Sequence, residues 1–151
     1  MAVIIKMEAS HIAEVALIEK ECFSVPWSEK SLEEEINNDL AHFFVCISEN
    51  KVVGYGGIHI MSGECYIDNI AVKESHRRQK IGSFILEKLI ETAENENGEF
   101  ISLEVRESNF KAIALYEKFD FEKVGVRKKF YDEPTEDGII MTKMFCKGEE
   151  K

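Results

Sequence analysis

Cys65-Tyr-Ile-Asp-Asn-Ile-Ala-Val72 runs without a break into Lys73-Glu-Ser-His-Arg-Arg-Gln-Lys-Ile-Gly82. The first stretch carries the β-branched and aromatic residues of a strand. The second is basic, ends on a glycine and opens the clearest helix of the chain. In that helix Ile85, Leu89 and Ala93 recur at i, i+4 and i+8, flanked by Ile81, Leu86 and Ile90. Gly98 stands where such a helix stops, and residues 100–105 read as a buried strand. A strand–helix–strand step implies a right-handed crossover and local parallel pairing. It also makes a place for phosphate. The free N–H groups and dipole of a helix N-terminus face an anion, and Arg or Lys adds charge. On this segment alone, a solvated capping loop that happens to be basic is the competing reading.

Outward from this core, the other elements are hairpins and short helices. Residues 3–5 with Met7 predict a first strand. Ser10 is placed to cap a helix with Ile12, Val15, Ile18 and Cys22 at helical spacing, and Ser28 a second helix ending near Asn37. Residues 42–48 and 52–61 read as strands joined by Glu49-Asn50-Lys51, and Ser62-Gly63-Glu64 turns the chain into the strand at 65–72. Asn109 predicts a cap for a helix through Lys118, followed by strands at 124–130 and 139–145. Hairpins around a parallel step give a mixed α/β sheet. With no repeat or Pro/Gly/Ser linker in 151 residues, the expectation is one domain over 1–147 and a short charged tail, 148–151.

The formal net charge of −10 argues against general nucleic-acid binding, which needs a basic face to displace counterions. It suits a cationic acceptor, although solubility alone accounts for many acidic proteins. No apolar run approaches a membrane span, and the N-terminus lacks the pattern of a secretory signal. Cys22, Cys46, Cys65 and Cys146 show no CxxC or metal-type spacing. The expectation is therefore a cytoplasmic protein with reduced thiols, no metal and no membrane partner. His11, His42, His59 and His76 have no mutual spacing for catalysis and read as incidental.

Further segments extend the central motif in one register. They are Asn69-Ile-Ala-Val72, Arg77-Arg-Gln-Lys-Ile-Gly82, Leu103-Glu-Val-Arg106 and Ser108-Asn109 through Ala112-Ile-Ala-Leu-Tyr116 to Phe121. Together they resemble the GNAT acetyltransferases. Cys22-Phe-Ser-Val-Pro-Trp-Ser28 and Arg127-Lys-Lys-Phe-Tyr131 resemble the ribosomal-protein-alanine N-acetyltransferases (the RimI family) within them. The resemblance implies the acyl-CoA N-acyltransferase fold, a mixed, mostly antiparallel sheet whose central parallel strands splay apart around the pantetheine arm of acetyl-CoA. It assigns backbone contacts to Ile70, Ala71 and Val72, one N–H of which would polarise the thioester carbonyl. It assigns the pyrophosphate cradle to Arg78, Gln79, Lys80, Ile81, Gly82 and Ser83, and a contact near the thiol to Asn109. Similar proteins usually carry glycine where this chain has Lys80. That replacement is costly if the turn needs positive φ, and nearly free if residue 80 lies in the first helical turn.

The same resemblance makes Glu104 the general base and Tyr116 the general acid. Glu104 is a carboxylate in a strand expected to be covered on both faces, where Glu is rarely unpaired. A structural ion pair with Arg106 or another cation is the alternative. For Tyr116 the alternative is a packed aromatic with one hydrogen bond. Asn109 doubles as an N-cap, and Pro26, Trp27 and Tyr131 border the implied acceptor channel. No Cys or Ser stands in a recognisable nucleophile setting beside a His, so direct attack of an amine on the thioester is expected. The implied acceptor is a protein N-terminus, closest by likeness to the N-terminal alanine of a small-subunit ribosomal protein. The alternatives are a GNAT enzyme for lysine side chains or small amines, and a non-catalytic acetyl-CoA-binding module.

Overall fold

The computed structural model describes residues 2–77 and 79–145; Arg78, Cys146 and the tail 148–151 lie outside them. Turn residues with left-handed backbone close the hairpins. Glu49 and Asn50 (φ 52° and 66°) join β2 (Ala41–Ser48) to β3 (Lys51–Met61). Ser62 and Gly63 (φ 51° and 85°) join β3 to β4 (Glu64–Val72). Two consecutive positive φ values match the right-handed twist of the strands they link. With β1 (Ala2–Lys6), β5 (Phe100–Arg106), β6 (Glu122–Tyr131) and β7 (Glu136–Met144), a seven-stranded sheet forms in the order β1-β2-β3-β4-β5-β7-β6. Among the described residues only β4 and β5 pair in parallel.

Helices cover both faces. α1 (Ile12–Cys22) and α2 (Glu29–Ile36) bury Val15, Ile18 and Leu32 against Phe43, Val45 and Tyr55. On the opposite face, α3 (Ile81–Asn95) and α4 (Phe110–Lys118) bury Ile85, Leu86, Leu89 and Tyr116 against Ile58, Ile101, Leu103 and Met141. Glycine lets α3 approach β3: a Cβ on Gly56 would lie 2.5 Å from Ile85 Cγ2. Ser28 caps α2 as expected, its side chain accepting from Ser31 N–H. Ser10 does not cap α1. It sits inside a single 3-10 turn, Ala9–His11, closed by a reciprocal pair. Glu8 accepts from the His11 N–H, and His11 Nδ1 accepts from the Glu8 N–H at 3.0 Å. Two donors are satisfied at once, more than a lone serine hydroxyl offers. Among the described residues no helix is long and apolar enough to cross a membrane.

Candidate active site

β4 and β5 are hydrogen-bonded neighbours only where Glu64–Tyr66 faces Phe100–Ser102. Beyond that the strands diverge, and a β-bulge helps to part them. Gly57 pairs with Asn69 but Ile58 pairs with Ile67, which leaves Asp68 as the extra residue of β4. The gap opens into two connected cavities. The larger, about 1000 Å³, runs from the N-terminus of α3 along Ile70, Ala71 and Val72. The smaller, about 430 Å³, extends toward Trp27, Glu104 and Tyr131. Both are lined by Cys22, Phe23, Ile70, Asn109, Ala112 and Tyr116, so they meet there.

Of the residues expected at the coenzyme, Ile70, Ala71, Val72, Lys80, Ile81, Gly82, Ser83 and Asn109 line the larger cavity. Gln79 is exposed and outside its lining, and Arg78 lies outside the described residues. The Val72 carbonyl already accepts from Arg77 Nε at 3.1 Å. Lys80 occupies the N-cap of α3 with φ 64° and ψ 18° and makes no side-chain cap. The turn therefore does require left-handed backbone. A fifteen-residue helix presents its free N–H groups at this mouth, with Lys80, Arg77 and Lys111 in the lining. That donor set fits a pyrophosphate.

On the acceptor side, Glu104 lies on the open face of β5, with its side chain 23% exposed. Cover on both faces was expected, but α1 and α2 pack over β2, β3 and β4, leaving one face of β5 open to the cavity. The cation paired with Glu104 is Arg127, Nε to Oε2 at 2.7 Å. Arg106 instead bonds Glu136 at 3.2 Å and stacks on the Tyr131 ring. Tyr116 is buried and lines both cavities where they meet. Burial, with Tyr131 nearby, pushes its phenol pKa well up. Burial likewise raises Tyr131, to about 12. Asn109 caps α4, Oδ1 accepting from Ala112 N–H at 3.2 Å. Trp27 lines the acceptor cavity, whereas Pro26 is exposed and lines neither.

Residues 12–121 match the acetyltransferase (GNAT) family. The chain belongs to that family. An Escherichia coli K12 relative, the [ribosomal protein bS18]-alanine N-acetyltransferase, is 32% identical over 138 residues, 91% of each chain. The crystal structure of the E. coli ribosomal-protein-S18-alanine N-acetyltransferase superposes with a TM-score of 0.90 at 30% identity, covering 100% of this chain and 99% of that one. The NatC complex bound to Gag peptide and CoA shares the fold, with a TM-score of 0.84 at 18% identity over 96% of this chain and 99% of that one. This GNAT protein is thus an acetyl-CoA-dependent N-acetyltransferase.

Two polar clusters of the acetyltransferase escaped the sequence reading. Glu19 is fully buried on α1. Its Oε1 accepts from Trp27 N–H at 2.8 Å, and its Oε2 accepts from the Tyr55 hydroxyl and from Asn69 Nδ2 at 3.0 Å. Burial raises its pKa against those hydrogen bonds. The available signal was position: Glu19 follows Val15 by four residues, on the apolar stripe. The second cluster corrects the reading of His59 as incidental. Its Nδ1 lies 2.5 Å from Asp68 Oδ2 and its Nε2 2.8 Å from Glu35 Oε1. A search for His–His spacing misses partners supplied by a bulged neighbour strand and by α2.

Lys80→Gly is expected to stabilise this acetyltransferase. Left-handed backbone costs a side-chain-bearing residue about 1 kcal/mol, which glycine avoids. For a chain of this size that is a rise of roughly 2–4 °C in melting temperature. Acetyl-CoA affinity should fall by less than about tenfold, because the strain is present with and without coenzyme and only one exposed cation is lost. Calorimetry at two salt concentrations checks it. The glycine variant should also show the weaker salt dependence.

Proposed function

We propose that this enzyme acetylates the free N-terminal amine of a protein, with the N-terminal alanine of ribosomal protein bS18 as its acceptor. The observation that carries the reading is the meeting of two cavities at Ile70, Asn109 and Tyr116. One arm reaches the N-terminus of α3 and the other opens past Glu104 and Trp27. The names of relatives with this chain length and fold support the choice of acceptor.

Acetyl-CoA, held by the Ile70–Val72 backbone and the mouth of α3, supplies the activated acetyl group. Glu104, at the wall of the acceptor arm, takes a proton from the incoming ammonium, directly or through a water. An α-amine has a pKa of about 8 against about 10.4 for a lysine, so far more of it is neutral at pH 7. Tyr116 Oη holds the proton that the departing sulfur takes up. Burial makes this phenol a weaker acid. The same desolvation raises a thiol in that place, as it does Cys22 beside it, so proton transfer is not made steeply uphill.

Two measurements test the reading. A peptide with free N-terminal Ala should be acetylated faster than the same peptide with a blocked N-terminus and an internal Lys; equal or reversed rates would move the acceptor to lysine. Tyr116→Phe should lower turnover severalfold with melting temperature nearly unchanged, since only the hydroxyl is lost. A sharp fall in melting temperature with normal activity per folded molecule would make Tyr116 a packing residue.

A further inference from the structure

Asp68 does not belong to the coenzyme or proton-transfer machinery, yet it lines the acceptor cavity. As the extra residue of the β4 bulge, it is free of the side-to-side alternation that would otherwise fix its direction. One oxygen, Oδ2, meets His59 Nδ1. The other, Oδ1, makes no hydrogen bond among the described residues, and the side chain keeps 22% of its surface exposed. His59 is clamped from behind by Glu35 of α2. Both ring nitrogens face carboxylate oxygens, so the geometry is satisfied when both carry protons. The cluster is then one imidazolium between two carboxylates, with a net single negative charge.

The remaining charges of the cavity sharpen the point. Its lining holds Asp68, Glu104, Arg106 and Asp132. Arg106 is paired with Glu136, and Glu104 with Arg127. Both cations are therefore matched, and the charge left over is negative. Asp68 precedes Ile70 by two residues on the same strand, roughly 7 Å at 3.3 Å per residue. A group that reaches Asp68 thus sits one or two residues behind an amine placed at Ile70.

We propose that the Asp68–His59–Glu35 cluster is a subsite for a basic side chain, arginine or lysine, at the second or third position of the acceptor peptide. Asp68 Oδ1 accepts the hydrogen bond from the cation, and His59 and Glu35 hold the carboxylate in place. The inference rests on the N-terminal acceptor reading above.

Arginine and citrulline peptides, which differ by charge and hardly in shape, supply the test. They carry an N-terminal Ala and the varied residue at position 2 or 3. In the unmodified enzyme, kcat/KM should favour arginine by at least about fivefold at one of those positions. Asp68→Asn should bring that preference within about twofold, leaving the citrulline rate and the acetyl-CoA affinity unchanged. Asp132→Asn should keep the preference, and His59→Gln should reduce it. Equal arginine and citrulline rates in the unmodified enzyme, or a preference that survives Asp68→Asn, would overturn the subsite.

Binding of the N-acetylated product peptides to the CoA-saturated protein gives a second readout. If neither peptide is a substrate, the acceptor reading fails. Arginine-selective binding lost in Asp68→Asn would still uphold the subsite, and non-selective binding would end it. That selectivity should also fade from pH 7.5 to pH 5. Burial raises the Asp68 carboxyl to about 6, against the attraction of His59, so the anion is present above that value and lost below it. His59 titrates in the same sense as the cluster's geometry requires, its pKa held above the ordinary histidine value. Burial pulls its pKa down, but Asp68 and Glu35 more than offset that. The other charged or titratable groups around Asp68 are Tyr55 and its partner Glu19 behind it and, in the cavity lining, Cys22, Glu104, Arg106, Tyr116, Tyr131 and Asp132.

Discussion

Glu104→Gln should lower turnover at neutral pH by at least about tenfold and leave acetyl-CoA binding nearly intact. The amide is close in shape to the carboxylate but cannot take a proton, and positioned general bases contribute about 10²–10⁴-fold. The lower bound reflects the acceptor itself, since an α-amine is already partly neutral at pH 7. The defect should therefore shrink as pH rises, because the fraction of amine needing a base falls. The Arg127 pair makes the outcome decisive. If Glu104 only holds Arg127, then Arg127→Ala should reproduce the loss and the Gln variant should show no special pH dependence. A turnover unchanged across pH would remove the base assignment. Acetyl-CoA titration by calorimetry separates lost chemistry from lost binding.

Glu19→Ala should cost stability on the order of 3 kcal/mol. The substitution removes the acceptor for Trp27 N–H, the Tyr55 hydroxyl and Asn69 Nδ2 in a fully buried position. Each donor left unsatisfied costs about 1–3 kcal/mol, softened where water enters. At roughly 2–4 °C per kcal/mol for a domain of this size, melting should fall by about 6–12 °C. Function should suffer asymmetrically. Trp27 borders the acceptor cavity and Asn69 adjoins Ile70 on β4, so the peptide KM should rise more than the acetyl-CoA KM. Glu19→Gln keeps an oxygen acceptor and should recover most of the stability. A Glu19→Ala protein that melts normally would show that water replaces the carboxylate.

The coenzyme half of the site was legible because it is local. Residues 65–82 contain the strand, the turn and the start of α3 in one continuous segment, and α3 follows its apolar spacing through Ile85, Leu89 and Ala93. The conformation of Lys80 was not legible. Whether residue 80 takes the first helical turn or the left-handed cap depends on how β4 delivers the chain to α3. The acceptor half was legible only in outline, since Glu104, Trp27 and Tyr131 come from three distant segments brought together by β5, the loop before α2, and β6.

The order of elements, the parallel step and the membership of the GNAT family were readable along the chain. These rest on periodicity and on motif residues that act through their own backbone. Which charges meet emerges only in the folded chain. Arg127, not Arg106, reaches Glu104 because β6 pairs along the far edge of β7 and returns Arg127 toward the open face of β5. His59 finds Asp68 and Glu35 because one extra residue in β4 re-aims a side chain and α2 lies over that face. Charge pairing acts over a few ångströms in space and has no period along the chain. It follows from sheet order and strand register, and those are fixed only when the whole core packs.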